Sequence, residues 1–142
     1  EKGFIIVGQE TDGSVTPIDL DMNWIVSKKK YDFIGKRALN RSDTIREDRK
    51  QLVGILTKDP KEVLEEGAQL VEKISKIPMK MIGHVTSSYY SPNLGRSIAL
   101  ALVKEGIKKK GSTIYAPMPN KTIEVEITNS VFVDPSNERL RV

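Results

Sequence analysis

Thr122-Ile123-Glu124-Val125-Glu126-Ile127 is the stretch on which the fold reading turns. Ile123, Val125 and Ile127 recur at period two with carboxylates between them, which is how a strand with one buried and one wet face reads. Ser97-Ile98-Ala99-Leu100-Ala101-Leu102-Val103 is nearly all apolar, as a strand covered on both faces is. Working outward, 51–56, 69–74, 79–88 and 111–115 are further strand candidates. Within 79–88, Met79, Met81, Gly83 and Val85 share a face. Residues 60–67 read as a loop or single turn ended by Gly67. Short strands separated by Pro, Gly and Asn predict an antiparallel barrel or sandwich.

Upstream the pattern is mixed. Phe4-Ile5-Ile6-Val7, bounded by Gly3 and Gly8, reads as a buried strand, and Trp24-Ile25-Val26 as another. Asp12-Gly13-Ser14 is a turn, and Thr16-Pro17 sets an extended exit. Lys36-Arg37-Ala38-Leu39 suits a short helix, and Ser42 caps a turn running to Asp48. Composition shifts near Arg49. The expected fold class is therefore mostly β with some α. Residues 1–48 form a fragment of an α+β domain, and residues 49–142 form an antiparallel β-barrel.

The chain has 142 residues, 38% hydrophobic and 30% charged, as in a globular protein with a real core. With no cysteine, disulfides, zinc–thiolate sites and thiol nucleophiles are excluded. No apolar run approaches the length of a membrane span and the N-terminus lacks the regions of a signal peptide, so no membrane partner and a cytoplasmic location are expected. A first residue of Glu rather than Met reads as a fragment of a longer chain. The net charge of +4 includes two lysine runs, Lys28-Lys29-Lys30 and Lys108-Lys109-Lys110, but 19 acids are scattered among the 23 Lys and Arg. Only Tyr31 adjoins a run, so a solvated surface is expected rather than a nucleic-acid face.

Residues for chemistry are sparse. The sole histidine, His84, sits in an alternating apolar segment and reads as a packed strand histidine with one backbone partner. That leaves no base for a nucleophilic triad. Asp12-Gly13-Ser14 lacks the spaced acids and terminal glutamate of a calcium loop, so no metal is expected. There is no G-x-G-x-x-G and no phosphate-cradling loop. The residues thus describe a ligand-binding or docking piece with no catalytic residue of its own. Ser88-Tyr89-Tyr90-Ser91-Pro92-Asn93-Leu94-Gly95-Arg96 admits two readings. It is an ordinary hairpin, or Tyr89, Tyr90 and Arg96 line a cleft at one end of the barrel where the guanidinium can pair with a carboxylate.

The ordered series Glu1-x-Gly3, Gly8-x-Glu10-x-Asp12, Thr16-Pro17, Trp24-x-Val26 and Asp32-Phe33-Ile34-Gly35 resembles the folate-dependent aminomethyltransferases, the T-protein of glycine cleavage and its relatives. The resemblance continues through Arg49-Lys50-x-Leu52-Val53-Gly54, Gly67-Ala68, Gly83-x-Val85-Thr86-Ser87, Ser91-Pro92-x-Leu94, Ile98-Ala99-Leu100 and Val131-Phe132-x-Asp134-Pro135. Within that family, residues 3–17 and the basic segments look most like the carboxyl-terminal part of the α subunits of heterotetrameric sarcosine oxidases.

The resemblance implies a tetrahydrofolate-binding portion that accepts the one-carbon unit from sarcosine, with flavins and NAD on other parts of the assembly. Its implied partners are the rest of the α subunit, the other oxidase subunits and folate. Residues 1–48 would then be the end of the folate-binding domain. Glu1 falls on the family's pterin-contacting glutamate, whose carboxylate can accept two hydrogen bonds from a 2-amino-4-oxo ring edge. Lys30 stands where T-proteins have a substrate-contacting arginine, keeping the charge without the fork. Tyr89, Tyr90 and Arg96 are the further cofactor-binding candidates. The family's catalytic aspartate falls upstream of Glu1, so no turnover by this stretch alone is expected. The alternatives are a glycine-cleavage aminomethyltransferase and a non-catalytic barrel that docks subunits.

Overall fold

The structure, a computed structural model, describes residues 1–141. Six antiparallel strands close into one barrel: β1 (Lys50–Thr57), β2 (Gln69–Val71), β3 (Met81–Ser91), β4 (Arg96–Lys104), β5 (Thr113–Met118) and β6 (Lys121–Thr128), in the spatial order β1-β4-β3-β2-β5-β6. Closure through the β1–β6 pair, Gly54 to Thr57 against Thr128 to Val125, leaves no free edge. Ile123, Val125 and Ile127 point inward beside Ile114, Ala116, Val53, Ile55, Ala99, Ala101 and Val103, and Glu124 and Glu126 stay outside. The period-two reading of β6 holds along its length.

β4 is buried on both faces as its composition predicts. Its inner row is core. Its outer row, Leu100 and Leu102, joins Leu52 of β1 under a cover that includes Leu20, Ile5, Val15, Met22 and Phe132. The cover is the N-terminal segment, laid over β1 and β4 as a strap, together with Phe132 from the chain after β6. Two close approaches make room for it. Gly54 faces the chain at 129–132, where a Cβ would sit 2.1 Å from the Asn129 carbonyl oxygen and 2.8 Å from the Phe132 ring. Gly3 has φ +71, and a Cβ there would meet the Ser130 carbonyl oxygen at 2.5 Å.

Three upstream expectations are corrected. Phe4-Ile5-Ile6-Val7 is no strand: Phe4 is 75% and Val7 88% exposed, and only an isolated bridge links Val7 to Thr11. Trp24 lies in a 3-10 turn (Asn23–Ile25) with 77% of its surface exposed, not in a strand. The short helix expected at 36–39 is a 3-10 turn at Ala38–Asn40. In the barrel, the 69–74 strand stops at Val71. The Met79–Met81–Gly83–Val85 face breaks too, because the β2–β3 register slips at Leu70/Val71 and puts Ile82 into the core. A second irregularity between Val85 and Ser87 turns Ser87 and Tyr89 to the outer face, opposite Leu100 and Ile98. That switch positions the site below.

Candidate functional site

The first residues are fixed to the far end of the chain. The Glu1 carbonyl accepts the N–H groups of Phe132 at 2.9 Å and Val133 at 3.1 Å. Lys2 Nζ donates to the Asp134 carbonyl at 2.5 Å and to Asn137 Oδ1 at 2.7 Å. The Glu1 side chain reaches the β3–β4 turn, where Oε1 accepts from Ser91 Oγ at 2.5 Å and Oε2 from Asn93 Nδ2 at 2.7 Å. Ser91 Oγ also accepts the Leu94 N–H at 3.1 Å, so the turn that holds the carboxylate is itself braced. The Ser91 hydrogen bond, then that from Asn93, holds the Glu1 carboxyl below the usual glutamate range. It is ionised at neutral pH, and each oxygen retains acceptor capacity beyond its one partner.

Glu1 stands at the mouth of a cleft of about 190 Å³ walled by Phe4, Ile6, Tyr89, Ile98, Leu100 and Phe132. Fixed carboxylate, apolar walls and a half-exposed phenol suit a flat heteroaromatic edge that carries N–H donors. The Glu66 carboxylate beside the Tyr89 phenol, followed by burial, pushes its titration up, which keeps it a neutral donor.

The other predicted residues lie elsewhere. Tyr90 pairs across to Ser97 and, one residue on from Tyr89, projects to the opposite face. Arg96 donates from Nη2 to the Thr57 carbonyl at 2.7 Å and lines a different cleft, of about 280 Å³, with Lys58 and Glu124. Lys30 sits in an exposed loop whose backbone is tied to Ser27 and Lys36. The structure brings Glu1 and Tyr89 together, and it places Tyr90, Arg96 and Lys30 outside their cleft. Sequence reading missed Ser91 and Asn93 as the groups that hold Glu1. The Ser91-Pro92-x-Leu94 series was their only signal.

A larger cleft, about 480 Å³, opens on the same outer face at the other end of β4. The acids there have partners within the chain. Glu10, wholly buried, accepts the Ile6 N–H at 2.7 Å and the Ser87 hydroxyl. Asp12 Oδ1 accepts Ser14 N–H at 2.7 Å and Oγ at 2.6 Å. Asp19 takes Arg49 on both oxygens, at 2.8 and 2.7 Å, and the Thr16 N–H at 2.9 Å. Burial pushes the Asp19 carboxyl up, but Arg49 and Thr16 outweigh it and leave it below the ordinary aspartate range. His84 differs from expectation. Its partner is not backbone but Lys50, whose Nζ lies 3.4 Å from Nδ1. Burial and then Lys50 depress the imidazole, so it is neutral at pH 7. Among the described residues no group of His, Cys, Asp and Glu could hold a metal ion, and no helix is long and apolar enough to cross a membrane.

Relatives extend this picture. The family profile described as the glycine cleavage T-protein C-terminal barrel domain matches residues 50–134, from the first residue of β1 to the segment that anchors Glu1 and Lys2. The α subunit of sarcosine oxidase from Corynebacterium sp. (strain U-96) is 47% identical over 142 residues, covering 98% of this chain and 15% of that subunit. An aminomethyltransferase from Thermotoga neapolitana is 30% identical over 139 residues, covering 98% of this chain and 36% of the enzyme. The crystal structure of the glycine cleavage system aminomethyltransferase T from Bartonella henselae superposes with a TM-score of 0.75 at 24% identity, over 90% of this chain and 35% of that one, so the fold is shared. This chain therefore belongs to the glycine cleavage T-protein C-terminal barrel family, the family of sarcosine oxidase α subunits and aminomethyltransferases.

Proposed function

We propose that this chain is the tetrahydrofolate-facing, one-carbon-accepting portion of a sarcosine oxidase α subunit. Residues 1–48 are the end of the folate-binding domain, and residues 49–142 are the barrel that carries it. The carrying observation is the Glu1 carboxylate, fixed by Ser91 and Asn93 at the mouth of an apolar cleft with acceptor capacity to spare. A 2-amino-4-oxo pterin edge presents the N–H donors such a group accepts, and the neighbouring Phe4 and Tyr89 supply faces for the ring. Bound tetrahydrofolate supplies the nitrogen nucleophiles that take up the one-carbon unit, and the chain's own residues bind and orient it. Flavin and NAD chemistry, and the partner subunits, belong to the rest of the assembly, in keeping with relatives named as subunits α of sarcosine oxidase.

A docking role is the competing reading, favoured by Trp24, Tyr31 and Ile34, which are exposed on the upstream lobe. Calorimetric titration of tetrahydrofolate separates the two. Saturable binding that Glu1→Gln weakens roughly ten- to hundredfold is expected for the loss of hydrogen bonds to a charged acceptor. Heat that never saturates, or an unchanged Kd in the variant, leaves the docking reading.

A further inference from the structure

The 480 Å³ cleft holds a charge arrangement that the folate reading does not use. Lys50 of β1 and Lys104 of β4 are direct cross-strand partners on the outer face of the barrel. Like charges set opposite each other across a ladder destabilise it. On β3, reached through β4 by the His84–Leu102 pair, His84 completes the cluster, with its Nδ1 3.4 Å from Lys50 Nζ.

Among the described residues no carboxylate pairs directly with either lysine, although Glu10 and Asp12, held by uncharged donors, line the same cleft. The acids that line the cleft are engaged: Asp19 by Arg49, Asp48 by Arg46, Glu10 by Ile6 and Ser87, and Asp12 by Ser14. Two ammonium groups and an imidazole line the cleft, and the local like-charge opposition of Lys50 and Lys104 is a cost that an anion bound between them would relieve. The donors are compact point charges, since both nearby guanidinium forks are already taken. That set matches a tetrahedral phosphate dianion better than a planar carboxylate.

We propose that Lys50, Lys104 and His84 form a binding site for a phosphate group, free or carried on a larger ligand. Binding places negative charge beside His84, against Lys50 from β1 and Lys104 from β4 and across from Asp12 of the strap. Phosphate thereby favours the imidazolium.

The test is a titration of the 142-residue chain with inorganic phosphate at constant ionic strength, with sodium chloride as the matched control. It is followed by the ring-proton resonances of His84, the sole histidine. A saturable displacement with phosphate, and a rise of about one unit in the His84 titration midpoint, are expected. Lys50→Gln and Lys104→Gln should each weaken binding at least tenfold. Lys58→Gln, whose side chain pairs with Glu124 in another cleft, should leave it unchanged. Thermal melts keep the test independent of folding. Without phosphate, Lys104→Gln should melt no lower than the parent, because it removes the like-charge opposition. With phosphate, the parent and Lys58→Gln should gain stability, and Lys50→Gln and Lys104→Gln should not. Adenosine monophosphate binding at least as tightly as phosphate assigns the site to a ligand-borne group, and its exclusion assigns it to the free ion. A displacement that chloride reproduces, or one that survives in both lysine variants, overturns the site.

Discussion

Replacing Arg49 by Ala should release the strap from the barrel, and the size of the effect can be worked from the geometry. Arg49 grips both oxygens of Asp19 at 2.8 and 2.7 Å, donates to the Ser14 carbonyl at 2.6 Å and to the Asp43 carbonyl at 3.1 Å. Asp19 in turn receives Leu52 N–H on its own carbonyl at 2.7 Å, which joins the strap to β1. The Asp19 side chain is 3% exposed and that of Arg49 20%, so removing the guanidinium leaves a buried carboxylate with only Thr16 as partner. Breaking a buried pair from one side costs about 3–5 kcal/mol, and the residual exposure of Arg49 favours the lower end, about 3 kcal/mol. For a chain of this size that is a fall in Tm of roughly 10 °C. Urea denaturation of wild type, Arg49→Ala, Asp19→Asn and the double variant measures it, and the cycle isolates the coupling. The pH dependence has a definite sign. Because the folded Asp19 carboxyl titrates below its unfolded value of about 3.9, its contribution is full above that value. It is lost as pH falls through the lower folded one. Arg49→Ala within about 0.5 kcal/mol of wild type, or an acid limb unchanged by Asp19→Asn, would refute the clamp.

Gly54→Ala should destabilise by about 3 kcal/mol or more by denaturant melt, since its Cβ would meet backbone at Asn129 that cannot swing aside. Leu102→Ala, beneath the strap, should cost about 2–4 kcal/mol and open residues 1–22 to limited proteolysis, read by mass spectrometry of the fragments. Ser91→Ala should raise the titration midpoint of the Glu1 carboxyl toward the ordinary glutamate value, followed by carbon NMR of that group, because its largest lowering influence is gone. Asn93→Ala should do the same to a smaller degree.

How much of this was legible depends on the kind of signal each element carries. β6 could be read because period-two alternation survives when one face is core and the other water. β4 could be read as covered on both sides, but not by what, because composition does not say whether the cover is another sheet, a helix or a strap. For the same reason Phe4-Ile5-Ile6-Val7 reads as a strand. An apolar run that packs Ile5 against the outside of a barrel and leaves Phe4 and Val7 in solvent has the same letters as a buried strand. The slip at Leu70/Val71 and the irregularity at Val85/Ser87 carry no residue signature, yet the first puts Ile82 into the core and the second turns Tyr89 to the face that holds Glu1. The Asp19–Arg49 clamp joins positions 30 apart, so local pattern could show only that each is charged. At the candidate site, Glu1 and Tyr89 line one cleft. Arg96 instead spends its guanidinium on Thr57 because its strand position aims it at the β1–β6 side.

The folate assignment requires that the Glu1 carboxylate, held by Ser91 and Asn93 at the Tyr89 cleft, receives the edge of a tetrahydrofolate ring. A crystal structure of the tetrahydrofolate complex, with this stretch in its whole subunit, tests it most directly. The 2-amino-4-oxo edge should lie within about 3 Å of both Glu1 oxygens, with Ser91 and Asn93 still donating to them. A folate bound elsewhere, or a Glu1 carboxylate that keeps only Ser91 and Asn93 as partners while folate is bound, would contradict it.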